Sequence, residues 1–190
     1  LVEFAQRSFT NQKGWGQVDF GKTDGVNVNV KLDFMPIKAV PELTKKNYIP
    51  SGGTPLLDTI AETIVRTGKS LAGLPESLRP EKVLFVIITD GEENESRVYN
   101  HQRVMEMIQH QSIVYKWEFM YLGANQDAIQ VGATFGVSAL RSMSYGTSGV
   151  EISATYNTIA QKTKSFRELT GAAAAASLNF TDDERKSAKD

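Results

Sequence analysis

An α/β fold is predicted for this chain: a doubly wound, mostly parallel sheet with helices on both faces, incomplete at its N-terminus. Three observations predict it. Residues 83–88 form an unbroken apolar run, Val83-Leu84-Phe85-Val86-Ile87-Ile88, which stops abruptly at Thr89-Asp90-Gly91. A short run of this kind, bounded by turn residues, is a strand buried on both faces, as inside a parallel sheet. Residues 26–34, VNVNVKLDF, alternate strictly between apolar and polar, which is the pattern of a half-buried strand. The order read along the chain is strand, strand, helix, strand, helix, strand, helix, strand, helix, the alternation of an α/β architecture.

Composition narrows the function classes. The 190 residues are 41% hydrophobic and 23% charged, ordinary for a globular chain able to bury a core. A formal net charge of −1 gives no support for broad binding to nucleic acid or anionic membranes. With no cysteine, disulfides, thiol catalysis and thiolate zinc sites are excluded, and a cytoplasmic location is the expectation. His101 and His110 lie nine apart in one helical stretch; that spacing does not bring both to one metal, and both read as surface residues. No apolar run reaches the length of a membrane span. The chain begins at Leu1, already inside the apolar stretch Leu1-Val2-Glu3-Phe4-Ala5, so further sequence is expected upstream.

Taken in order, residues 1–9 alternate loosely and read as a strand. Residues 11–25 carry Gly14, Gly16, Gly21 and Gly25 and read as turns. Residues 26–34 then pair back on the first strand near a sheet edge. Ser51-Gly52-Gly53-Thr54-Pro55 opens the next element: Thr54 suits an N-cap and Pro55 the first helical position. Leu56, Leu57, Ile60, Ala61, Ile64 and Val65 recur at helical spacing, predicting an amphipathic helix that fades between Gly68 and Gly73. After the central strand, residues 97–111 read as a helix, 117–125 as a strand, 126–135 as a short helix ended by Gly136, and 139–145 as a last strand. Residues 150–169 form a helix stopped by Gly171. The domain therefore spans residues 1–171, and 172–190, alanine-rich and then charged, is a C-terminal tail.

Two loops carry the chemistry. Asp90 follows the central strand, and ligands in open α/β sheets bind at the carboxyl edge. Asp90, Glu92, Glu93, Asn94 and Glu95 crowd hard oxygen donors into one turn; a solvated acidic turn leading into a helix explains the same residues. Thr54 presents a hydroxyl on a glycine-rich loop at a helix start, and plain capping explains it equally.

Together the two loops resemble a known family. Gly52-Gly53-Thr54-Pro55-Leu56, followed by Ile88-Thr89-Asp90-Gly91-Glu92-Glu93-Asn94, is similar to the von Willebrand factor A domain, a Rossmann-like fold. The resemblance to a prokaryotic and bacteriophage branch extends to residues 40–50, to WEFMYLGAN at 117–125 and to Phe180-Thr181-Asp182-Asp183-Glu184-Arg185. It thus covers nearly the whole chain. In that family a divalent metal sits in an adhesion site built from a DxSxS loop, a threonine and an aspartate. The resemblance implies Thr54 and Asp90 as metal ligands, with Ser51, Gly52, Gly53, Gly91, Glu92 and Asn125 as rim or support. It implies Mg2+ or Mn2+ in the complete domain. No DxSxS occurs in the 190 residues. Residues 1–5 best match the family's second strand, so the first strand, the DxSxS loop and the first helix are expected upstream; residues 1–9 as the end of the first helix is the alternative. The part present is then expected to bind the ion poorly or not at all.

The expected function is a non-enzymatic protein-binding module gripping a carboxylate of a protein partner through the ion, with no nucleic acid or membrane partner. Family analogy also offers an accessory subunit of an ATPase-driven assembly or chelatase. A metal-dependent hydrolase using Asp90, Glu92 and Glu93 ranks lower, because such chemistry draws carboxylates from several loops.

Overall fold

The computed structural model describes residues 53–189 in full, together with the backbone of three strands, β1 (Val2–Ser8), β2 (Lys13–Asp19) and β3 (Asn29–Pro36). The elements that follow are α1 (Leu56–Ala72), β4 (Lys82–Thr89), α2 (His101–Tyr115), β5 (Glu118–Ala124), α3 (Ala128–Thr134), β6 (Ser142–Tyr145), α4 (Gly149–Glu168), α5 (Gly171–Ala176) and α6 (Asp182–Ser187). Six strands form one sheet in the order β3-β2-β1-β4-β5-β6.

The sheet is α/β with a parallel half and an antiparallel half. β4, β5 and β6 run parallel, with Leu84 opposite Glu118 and Tyr121 opposite Ser142. β1 pairs antiparallel with β4, Val2 standing opposite Ile88, and β2 and β3 continue antiparallel outwards. The expectation of a mostly parallel sheet therefore holds for three of the six strands. The turn-rich reading of residues 11–25 is corrected at Lys13–Asp19, which is a strand despite Gly14 and Gly16. The described part of the alternating segment, residues 29–34, lies on the edge as expected, but its partner is β2 rather than β1.

β4 explains why an apolar run without alternation makes a strand here: both of its faces are covered. Val83, Phe85 and Ile87, with Phe119 and Tyr121 of β5, pack under α1, α2 and α3. Leu84, Val86 and Ile88, with Met120 and Leu122, pack against Ile159 and Phe166 of α4 and against Ala174, Leu178 and Phe180. Helices thus lie on both faces. Side chains of successive strand residues point to opposite sides, so the two cores are fed by odd and even positions of the same strands.

Of residues 172–190, read from sequence as a tail, the described part, 172–189, carries part of the second core. Leu178, Phe180 and Ala188 are buried. Lys162 of α4 is buried too, bonding the Asn179 carbonyl at 2.7 Å and Glu184 at 2.8 Å. Arg185 donates to the carbonyls of Ser142 and Ala139. The charged residues of this segment are what fasten it, since a buried cation is tolerated where paired and hydrogen-bonded.

Element ends differ from expectation for local reasons. α2 starts at His101, four residues after the expected start, because Asn100 caps it by accepting from the Arg103 N–H at 2.9 Å. α4 is opened by Ser148 and Glu151, which cap each other's backbone. It ends at Glu168, where Lys82 reaches across to its last carbonyls, bonding that of Phe166 at 2.8 Å and that of Arg167 at 3.2 Å. Gly171, expected to stop α4, instead opens α5 with a φ of 56°. Residues 139–141 form a 3-10 turn before β6.

Candidate functional site

Thr89, Ala124 and Tyr145 end the three parallel strands on one edge of the sheet. That edge carries the candidate site. Asp90 leaves β4 into solvent and is exposed. Thr89, by contrast, is fully buried, and its hydroxyl shapes the turn: it donates to the Gly91 carbonyl at 2.7 Å and accepts the Gly91 N–H at 3.2 Å. The Tyr145 hydroxyl of β6 donates to the Thr89 carbonyl at 3.3 Å. A turn braced from both sides presents Asp90 on rigid backbone.

The second loop meets this one. Thr54 is buried and its backbone is clamped by Asn94: the Thr54 N–H donates to Asn94 Oδ1 at 2.8 Å, and the Asn94 N–H donates to the Thr54 carbonyl at 3.2 Å. The Thr54 hydroxyl lies against Gly91, close enough that a Cβ there would stand 2.7 Å from Oγ1. Gly53 is covered by the Glu95 side chain, which a Cβ would strike at 2.4 Å. At Gly91 the close approach calls for glycine, whereas at Gly53 the exposed Glu95 side chain can move aside. The two glycine-bearing turns thus meet through Gly91 and Thr54, with Asp90 next to Gly91 in the chain. Ser51 and Gly52 lie outside the described residues.

The capping role expected of Thr54 is corrected. α1 begins at Leu56, Pro55 occupies the N-cap position, and no side chain of the cap residue bonds the helix. The capping comes from the acidic loop instead. Glu93 accepts the Leu57 N–H at 2.8 Å, and its carboxylate also holds the Ser96 hydroxyl at 2.6 Å and the Ser96 N–H at 2.8 Å. The orphan N–H groups at the start of α1 are thus met from a loop about one helix away in sequence. Glu93 and Asn94 are helix-start residues, as expected, but the helix they serve is α1 rather than α2.

Asp58 is the residue the sequence reading missed. It is buried, and its two oxygens accept the N–H groups of Arg97 at 2.9 Å, Val98 at 3.0 Å and Tyr99 at 2.8 Å. Its position in the first turn of α1 signals only a favourable dipole interaction. Nothing local announces partners 39–41 residues away. Asp58 and Glu93 together lash residues 93–99 to α1, leaving Asp90 and Glu92 exposed.

Two tyrosines register the negative charge of this edge. Burial, and then the charge of Asp90, push the Tyr156 phenol on α4 above its usual range. Burial, and then the charge of Glu92, do the same to Tyr121. Asn125 is exposed, in the left-handed conformation with a φ of 52°, at the end of β5, and its N–H bonds the Tyr145 carbonyl at 3.2 Å. It sits on the same edge as Asp90 but is held by β6 rather than by either site loop.

The donors on these two loops are of the kind that Mg2+ takes. Thr54 Oγ1 and the Asp90 carboxylate are hard oxygens, and Mg2+ completes its octahedron with water when the protein supplies few ligands. Among the described residues, no three Asp, Glu or His side chains converge as a ready cage. His101 and His110 are exposed on α2, stacked on Phe135 and set edge-on to Tyr115 respectively.

Comparison of the chain with family models, with curated proteins and with solved structures finds no match.

Proposed function

We propose that this chain is a protein-binding module of the von Willebrand factor A type, doubly wound and Rossmann-like, and that it is not an enzyme. Thr54 and Asp90 would hold a divalent ion, Mg2+ or Mn2+. When bound, the ion supplies an electron-poor centre for a carboxylate of the partner protein. The observation that carries this reading is the meeting of the two loops: Gly91 lies against the Thr54 hydroxyl beside an exposed Asp90, at the carboxyl edge of the parallel strands. A hydroxyl donor leaves the ion more electrophilic than a carboxylate would, which favours capture of an outside anion.

Two further facts favour binding over hydrolysis. Asp58 and Glu93, the carboxylates nearest in the chain to Thr54 and Asp90 that are not fully exposed, are committed to backbone N–H groups. Hydrolytic metal sites instead aim several carboxylates at one or two ions.

Because the 190 residues contain no DxSxS, the test is thermal unfolding, with Mn2+ or Mg2+, of a form of the protein that carries such a loop, alone and with an acidic peptide as carboxylate donor. An ion at about 100 times its Kd stabilises the folded state by about 2.7 kcal/mol. Asp90→Ala and Thr54→Ala abolish that gain, and peptide binding is lost on chelation. A metal effect unchanged in Asp90→Ala rejects the site, as does the absence of any metal effect with or without peptide. Phosphatase or nuclease turnover replaces the reading with an enzymatic one.

A further inference from the structure

At the opposite end of the sheet from Asp90, where β4 begins, lies a cavity of about 350 Å³. Its walls come from the last turns of α1 and α2 and include Gly68, Leu71, Val83, Gln111, Tyr115 and Trp117. The volume falls in the range of sites that take small organic molecules, which are mostly apolar with few polar groups.

Three features of this cavity bear on what it could hold. The first is its aromatic floor. Trp117 stacks on Phe85 with centroids 5.4 Å apart and planes 13° apart. Tyr115, largely exposed, stands beside Trp117 at 6.5 Å. The stack fixes a flat wall, and the Tyr115 ring stands at its edge, set edge-on to His110 at 5.7 Å. The second is an orphan acceptor. Gln111 Oε1 is buried and has no hydrogen-bond partner, a condition that costs about 1–3 kcal/mol and that a donor from outside would relieve. The third is Gly68, inside α1. A helix-interior glycine is about 1 kcal/mol worse than alanine. Here no close approach requires it, since a Cβ on Gly68 meets nothing within 4 Å. What glycine does at this position is leave the cavity open.

The rim decides the charge of the occupant. Arg79 and Glu81 stand there with opposite signs, beside the exposed imidazole of His110, and Arg79 is engaged by the carbonyls of Leu74 at 3.1 Å and Ala72 at 3.4 Å. Neither an anion nor a cation is favoured. From these features we infer that the cavity binds an uncharged planar aromatic molecule that donates an N–H or O–H to Gln111. The site is distinct from the loops at Thr54 and Asp90, and the inference does not rest on the function proposed for them.

The test uses the full chain with indole as probe and 1-methylindole, which lacks the donor, as its control, followed by ligand-observed NMR and calorimetry. Indole binds saturably with a Kd of about 1 mM or tighter. The methylated probe binds about fivefold more weakly. Gln111→Leu removes the difference between the two probes. Gly68→Leu, which the open space should accommodate without harm to the helix, abolishes binding of both, and Ala72→Phe does the same from the next turn. Melting curves establish that each variant is folded. No saturable indole binding at about 10 mM overturns the inference. So does equal affinity for the two probes in the unaltered chain, and so does indole binding that survives in both Gly68→Leu and Ala72→Phe.

Discussion

Gly91 and Thr54 are in contact across the gap between two loops, and a single methyl group on Gly91 would come to 2.7 Å from Thr54 Oγ1. The contact is with a hydroxyl on a side chain whose backbone is clamped at both its N–H and its carbonyl by Asn94. Thr54 therefore cannot swing aside cheaply. Gly91→Ala should destabilise the chain by about 1–3 kcal/mol, the cost of overfilling a close contact. The double variant Gly91→Ala/Thr54→Ala should recover much of that loss, because the clashing atoms are gone. Urea unfolding of the four proteins in the cycle checks this. Strictly additive effects would show that the two loops do not touch in solution.

Asp58 carries the larger energetic weight in this region. Its carboxylate is buried and holds three consecutive N–H groups, those of Arg97, Val98 and Tyr99. Asp58→Ala leaves all three without a partner and should cost about 3 kcal/mol or more. Asp58→Asn keeps one carbonyl oxygen in place and should cost less than half as much. Denaturant midpoints give the ranking, and amide exchange at residues 97–99 should accelerate in the alanine variant. A loss below about 0.5 kcal/mol for Asp58→Ala would mean that water replaces the carboxylate there.

Glu184 gives the chain a pH dependence. Partial burial alone would raise its carboxyl, but hydrogen bonds from Lys162 and from the Thr181 backbone, the Lys162 charge and the Thr181 hydroxyl outweigh it and hold the group below its ordinary value of 4.5. A folded-state value below the unfolded one favours the ionised form in the fold. The resulting stability is complete above pH 4.5 and is lost as pH falls through the lower folded-state value. Glu184→Gln should therefore be less stable than the unaltered chain at neutral pH, and the gap should close on acidification. A gap that is constant from pH 7 to about 3 would show that the Lys162–Glu184 pair contributes no linked protonation.

The parts of this fold that were legible in the sequence are those written in local pattern. Residues 83–88 needed no distant information to read as a doubly buried strand, because a β-branched run bounded by turn residues has few other uses. α1 was legible from its spacing, and the meeting of the Thr54 and Gly91 turns was expected from the family resemblance of the two loops taken together. The roles of Asp58 and Glu93 were not, because their partners lie 36–41 residues away and a carboxylate in a loop looks the same whether it is solvated or caps a helix.

Sequence alone determined where the strands and helices of residues 53–170 lie to within a few residues, and which turns carry oxygen donors, because periodicity and turn chemistry are properties of short segments. Tertiary structure alone decided three things: that β1 runs antiparallel beside β4, that Leu178 and Phe180 complete the second core, and that the acidic loop caps α1. Each is a contact between segments far apart in the chain. The free energy of such a contact depends on burial and on which partner is within reach, neither of which a single stretch of sequence records.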